Sequence, residues 1–213
     1  MARQTAISIN TIPIGPLGII GMPGCEELTD KIDKYLVKWR KTQASEHAES
    51  IAFFGYQRDT YKIDVSIPRF GSGEGKGVIN ESVRGYDIYI VCDVFNYSCS
   101  YDMYGRKVYM SPDDHFADLK RVISALCSKP KRVSVIMPML YEGRQHKRSS
   151  RESLDCAMAL KELVHLGVEN IITFDAHDQR VQNAIPDKSF ENVMPTYQMI
   201  KALVNNVDDL KVD

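Results

Sequence analysis

The 213-residue sequence carries almost no net charge, because 27 lysines and arginines face 28 aspartates and glutamates, for a balance of -1. That excludes a general electrostatic pull toward nucleic acid or an anionic membrane, so an anionic ligand has to be held by a local basic cluster. No window approaches the roughly 20 apolar residues that cross a bilayer. Met1 to Gly24 has no basic stretch followed by an unbroken apolar run and is interrupted by Pro13, Pro16 and Pro23, so no signal peptide is expected. The five cysteines form no CxxC pair and have no histidine at metal-ligand spacing. A reduced chain in the cytoplasm is the expectation. Also missing are a GxGxxG opening a helix, a GxxxxGK[ST] loop, a GxSxG elbow and a cysteine beside a plausible base. The two standard phosphate loops and nucleophilic catalysis are therefore without support.

What is present is an ordinary core-forming composition, 44% hydrophobic and 26% charged, enough for one large domain or one and a piece. Leu17 to Ile20 reads as a strand entering a turn, and Glu26 to Trp39 as an amphipathic helix with Leu28, Ile32, Tyr35, Leu36 and Trp39 against a sheet. Lys41 to Ser50 is polar and expected to be exposed. Tyr61 to Ile67 alternates like a strand, and Phe70 to Gly77 holds four glycines, which rules out a helix there. Ile88 to Cys92 has the continuous apolar character of a buried strand. Asn96 to Met110 is expected to be a loop or small hairpin. A helix is signalled from Ser111, with Asp113 and Asp114 in its first turn and Phe116, Leu119, Val122, Ile123 and Leu126 on one face. Arg132 to Pro138 reads as a strand, Ser153 to Leu166 as a helix closed by Gly167, Asn170 to Phe174 as a strand and Met194 to Val204 as a last helix. Strand, helix, strand, helix, strand from Ile88 onward predicts an α/β fold with an open, mainly parallel sheet flanked by helices in three layers. Ligands in such sheets bind beyond the carboxyl ends of the strands.

Two polar segments fall at those ends. Gly143 to Arg151 contains Arg144, Lys147, Arg148, Arg151 and His146, and arginine forks and lysine donors suit phosphate oxygens. The competing reading is a solvated basic loop. Asp175-Ala176-His177-Asp178 places a carboxylate and an imidazole two residues apart beyond a strand, a pairing that suits magnesium and a phosphoryl oxygen. The alternative is a helix cap made by Asp175 or Asp178 beside a packing histidine. In the glycine-rich loop, Phe70 is placed to stack on a base and Glu74 to accept from an exocyclic amine, against the alternative of a plain turn. His47, His115 and His165 are read as surface or packing residues.

Together and in order, these segments resemble the ribose-phosphate diphosphokinase family, also called phosphoribosyl-pyrophosphate synthetase. Phe70-Gly71-Ser72-Gly73-Glu74 is similar to the family's F-S-D-G-E loop, and Ile79-Asn80-Glu81-Ser82-Val83-Arg84-Gly85 to its I-x-E-S-V-R-G. Arg144-Gln145-His146-Lys147 resembles R-Q-D-K, and Ile171 to His177 resembles I-I-T-x-D-L-H. Ser72, His146, Ala176 and Asp178 depart from the family letters. Asn96 to Met110 is longer than usual and one residue is missing near Ser149, all of which points to a divergent branch.

The resemblance implies a phosphoribosyltransferase-like fold and transfer of the β,γ-diphosphoryl group of MgATP to ribose 5-phosphate. It assigns ATP contacts to Phe70, Ser72, Glu74, Arg144, Gln145, His146 and Lys147, and the magnesium and phosphate end to Asp175 and His177. It further implies that Phe70 and Glu74 reach adenine in a neighbouring subunit, hence a homo-oligomer. The family's S-P-D-x-G-G turn, its catalytic lysine and arginine loop and its ribose 5-phosphate loop do not occur before Asp213. The sequence is therefore expected to hold residues 1–190 as the amino-terminal domain and 191–213 as a linker or the start of a second one. No catalytic residue is expected in this part, which is expected to be inactive alone. A non-catalytic, synthetase-associated regulatory subunit and a plain nucleotide- or anion-binding module are the alternatives.

Overall fold

The computed structural model of the protein describes residues 13–46 and 57–207. Five strands form one all-parallel sheet in the order β1 (Leu17–Gly21), β4 (Asp87–Val91), β7 (Arg132–Met137), β8 (Asn170–Phe174) and β9 (Ser189–Val193). The central strands are runs of isoleucine and valine buried on both faces, the composition a covered parallel sheet needs. Alternate residues serve opposite layers. Ile19, Val91 and Ile136 pack with Ile32, Leu36 and Val37 of α1 (Glu26–Glu46). Ile20, Ile90 and Val135 pack with Phe116, Leu119, Val122 and Ile123 of α2 (Pro112–Ala125), and with Ala159, Leu160 and Leu163 of α3 (Asp155–His165). The expected three-layer architecture is what forms.

Two short antiparallel pairs complete the inventory. β2 (Val65–Ser66) and β3 (Val78–Ile79) flank the glycine-rich loop, and β5 (Ser100–Met103) with β6 (Arg106–Tyr109) make the Asn96 to Met110 excursion a hairpin. α2 begins as its sequence demands. Ser111 and Asp114 exchange side-chain and backbone hydrogen bonds in a capping box, with Pro112 in the first turn. α3 ends at His165, and Gly167 closes it one residue beyond the Leu166 cap with a φ of +98° that favours glycine.

Three expectations need correction. α1 turns a different face inward: Leu28, Tyr35 and Trp39 are exposed, while Thr29, Ile32, Asp33 and Leu36 face the sheet. The cause is polar, since buried Asp33 accepts from the Tyr61 backbone N–H at 2.7 Å and the Thr60 hydroxyl at 2.9 Å. The helix also runs past Trp39 to Glu46; Lys41 and Thr42 on that stretch are exposed as expected, and residues 47–50, His47 among them, lie outside the described residues. Tyr61 to Ile67 is a regular strand only at Val65 and Ser66. Upstream, Tyr61 and Ile63 bond to Ile19 at 2.8 Å each and cover the outer edge of β1. Lastly, β9 was not expected, because Ser189-Phe190-Glu191-Asn192-Val193 carries too little apolar patterning to read as a strand. α4 (Thr196–Asn206) follows it and contains no buried residue.

Candidate functional site

Strands β7 and β8 are neighbours, so the segments leaving their carboxyl ends emerge side by side. After β7 the chain turns sharply. Glu142 takes a left-handed φ of +55°, and a side chain on Gly143 would meet the Leu140 carbonyl at 3.1 Å. Tyr141 fixes this turn by stacking on Phe116 of α2, with ring centroids 4.2 Å apart, and its hydroxyl donates to Asp113 at 2.6 Å. Burial and that carboxylate push the Tyr141 phenol above its ordinary range. Burial, reinforced by Asp155 and Asp113, also pushes the Glu142 carboxyl up.

The basic loop is tied at both ends. Gln145 donates its side-chain amide to the Ser153 carbonyl at 2.8 Å, and its own carbonyl accepts from the Cys156 backbone at 3.4 Å, which links the loop to the start of α3. His146 is turned inward: Nδ1 lies 3.0 Å from the Arg144 carbonyl, Nε2 lies 3.3 Å from the Asp178 carboxylate, and the ring meets His177 edge-on at 5.2 Å. Arg144, Lys147, Arg148 and Arg151 are left exposed.

Beyond β8, Asp175 adopts a φ of +48°, which a side chain other than glycine's resists. β9 holds it there. The Asp175 N–H donates to the Val193 carbonyl at 3.1 Å, and the Ala176 N–H to the Asn192 side chain at 2.9 Å. Asp178 caps a short 3-10 turn (Gln179–Ala184) through the Arg180 N–H, as the capping alternative expects of one of the two aspartates. The Arg180 guanidinium grips the same carboxylate at 2.5 Å and holds it well below the usual carboxylate range.

Between the two segments lies a cavity of about 400 Å³, lined by Phe95, Met139, Tyr141, Arg144, Asp175 and His177 among others. Arg144, Asp175 and His177 are thus brought together. His146 stands behind His177, while Gln145 and Lys147 do not line the cavity. Neither do Phe70, Ser72 and Glu74. They sit on a separate tight turn, closed by Gly73 N–H to the Phe70 carbonyl at 2.8 Å and Phe70 N–H to the Glu74 carbonyl at 2.9 Å, with the Ser72 hydroxyl donating to Glu74. Asn192, Tyr141 and Arg180 were missed as shaping residues. Tyr141 stands at a strand end that the sequence marks, but Asn192 gives no signal because its strand gives none. Among the described residues no group of three or more histidines, cysteines or carboxylates is placed to hold a metal ion. Asp175 and His177 are two donors. They fit a magnesium that takes most of its ligands from water and phosphate rather than from protein.

Comparison with known proteins reaches the Arg144 side of this cavity, and the profile match ends before Asp175 and His177. The family profile described as the N-terminal domain of ribose phosphate pyrophosphokinase matches residues 17–167. Ribose-phosphate pyrophosphokinase 1 of Schizosaccharomyces pombe is 27% identical over 165 residues, which is 76% of this chain and 37% of that protein. The ribose-phosphate pyrophosphokinase of Vibrio parahaemolyticus is 26% identical over 136 residues, 62% of this chain and 38% of the relative. The chain therefore spans well under half the length of these relatives. The fold of the phosphoribosylpyrophosphate synthetase from Mycobacterium smegmatis superposes with a TM-score of 0.65 at 18% identity, over 89% of this chain and 52% of that one. With the profile covering residues 17–167, this chain belongs to the family of the N-terminal domain of ribose phosphate pyrophosphokinase.

Proposed function

We propose that the chain supplies the ATP and magnesium half of a ribose-phosphate diphosphokinase site, in a protein that moves the β,γ-diphosphoryl group of ATP to the 1-hydroxyl of ribose 5-phosphate, forming phosphoribosyl pyrophosphate and AMP. The observation that carries this reading is the convergence of Arg144, Asp175 and His177 on one cavity at the carboxyl ends of two adjacent parallel strands. Arg144 binds a phosphate oxygen through its planar fork. His177 meets the magnesium or a phosphoryl oxygen, and Asp175 orients it or reaches the metal through water. Magnesium, when bound, neutralises phosphate charge, and positioning with charge neutralisation is most of what phosphoryl transfer asks of a protein; the same logic extends to the diphosphoryl group. His146, pinned between Arg144 and Asp178, acts by packing on His177, and Gln145 by closing the loop onto α3. Lys147 is a free donor for the phosphates, and Phe70, Ser72 and Glu74 serve adenine in a neighbouring copy.

On this reading the protein is a cytoplasmic homo-oligomer. Residues 1–190 form its amino-terminal domain, and residues 191–213 begin a linker or a second domain. The uniformly exposed α4 supports a boundary in this region, and the pairing of β9 with β8 moves it from residue 190 to just past Val193. No helix among the described residues is long and apolar enough to cross a membrane.

Titration of the purified 213-residue chain with MgATP tests the site. Arg144→Ala and His177→Ala are each expected to weaken binding about tenfold, the loss of one charge-assisted contact. Unchanged affinity in both would remove the half-site. The same polypeptide alone is expected to bind MgATP without forming AMP from ribose 5-phosphate, and AMP formation that depends on ribose 5-phosphate would overturn that expectation.

A further inference from the structure

The β5–β6 hairpin lies on the loop that carries Phe70. Three independent contacts join them. The Tyr104 N–H donates to the Gly71 carbonyl at 2.9 Å. At the loop's bend Gly73 has φ +92°, and a side chain there would come within 3.0 Å of Met103 Sδ and 3.2 Å of the Tyr101 ring. Beneath the loop, the Arg69 guanidinium stacks on Tyr101 with its centre 4.3 Å from the ring centroid.

Arg69 is what turns those contacts into a fixed shape. It donates to the Gly73 carbonyl at 3.2 Å and to buried Asp118 of α2 at 2.5 Å, while Asp118 also takes Arg121 at 2.6 Å. One planar cation thus ties loop, helix and hairpin together, and Tyr101 covers its face. An arginine so placed loses orientation when the ring is removed, because the stack is the contact that lies out of the guanidinium plane.

The hairpin itself is stiff. Tyr104 and Gly105 take φ of +48° and +74°, the signs required by a two-residue type I′ turn. Its base is held by Met110 N–H to the Cys99 carbonyl at 2.9 Å, and just before it His115 Nε2 lies 2.9 Å from the Asn96 carbonyl. Phe70, by contrast, is 58% exposed and is not packed into the core. A free aromatic ring on a braced loop is a preorganised stacking surface, since less freedom is lost when a ligand docks on it.

We propose that the β5–β6 hairpin is a brace that sets the Phe70–Glu74 loop for the nucleotide base, with Tyr101 as the positioning residue acting through Arg69. The proposal rests on the reading above that this loop meets the base of ATP held by a neighbouring copy. Tyr101 itself touches no ligand.

The test measures binding of MgATP and, separately, of magnesium tripolyphosphate, which has the phosphates but no base, to the 213-residue protein. Tyr101→Leu is expected to weaken MgATP about fivefold, the size of a lost cation–π contact, and to leave tripolyphosphate unchanged. Tyr101→Phe keeps the stack and gives up only a 3.4 Å hydrogen bond to Asp114, so it is expected to bind both as the unaltered chain does. Equal losses for both ligands in Tyr101→Leu would reveal general damage to the site and overturn the proposal. Phe70→Ala separates the two levels. If it weakens MgATP while Tyr101→Leu does not, the brace is wrong and the base loop stands. If Phe70→Ala binds MgATP normally, the base-loop reading fails and the brace fails with it.

Discussion

Asp175 is the residue at which geometry and stability pull apart. An L side chain at φ +48° costs roughly 1 to 2 kcal/mol relative to glycine, and the turn is held there by two hydrogen bonds that its backbone N–H groups donate to β9. Such strain persists where the surrounding structure over-determines it, and it clusters at functional sites. Asp175→Gly is therefore expected to raise thermal stability slightly, or leave it unchanged, while weakening magnesium-dependent ATP binding. Calorimetric melts with and without MgATP check both halves. A variant that loses stability but binds normally would make Asp175 a structural residue only. Asn192→Ala is expected to act in the other direction, costing on the order of 1 kcal/mol for the lost bond to Ala176 and loosening the same turn.

At the scale of elements, much was legible where local chemistry and tertiary need agree. The Ser111 to Leu126 segment has its cap, its acidic first turn and its apolar face in the sequence, and all three are in the structure. The β7, α3 and β8 segments were legible for the same reason, and with them the two clusters at the strand ends. α1 shows the limit. Its apolar residues satisfy a helical period, yet Leu28, Tyr35 and Trp39 lie outside because the hydrogen bonds of Asp33 to Tyr61 and Thr60 choose the buried face. No count of apolar positions contains that partner. β9 was illegible because an edge strand with one covered side needs little apolar patterning, and so its Asn192 went unseen.

The capping box also yields a pH signature. Burial pushes the Asp114 carboxyl up, but donation from the Ser111 backbone and hydroxyl, with Arg69 nearby, outweighs it and holds the group below its ordinary 3.8. A depressed carboxylate contributes stability that is present above its unfolded pKa and lost as pH falls through the folded value. Ser111→Ala is expected to cost about 1 kcal/mol near neutrality. The gap to the unaltered chain is expected to close as pH drops below 3.8. Urea melts across that range measure it, and a gap independent of pH would assign the loss to the serine hydroxyl alone.

For the whole molecule, the distribution of thiols and of exposed apolar surface separates a sealed core from an open carboxyl-terminal helix. Cys25 and Cys156 are buried, which pushes each thiol up to about 11, and fully buried Cys92 is raised well above its usual range. Cys127 is the exposed one of the five. Because the thiolate is the reactive form, maleimide is expected to modify Cys127 first, with Cys25, Cys92 and Cys156 protected until the chain unfolds. α4 contrasts with that core. Tyr197, Met199, Ile200, Leu203 and Val204 are each more than half exposed, so none contributes to the packing of the domain. Replacing Ile200 and Leu203 by glutamate is accordingly expected to shift the unfolding free energy by less than about 0.5 kcal/mol, the usual range for surface substitutions, while raising solubility. A loss of several kcal/mol in denaturant melts would show that α4 is packed in solution, and would move the domain boundary from the end of β9 to beyond α4.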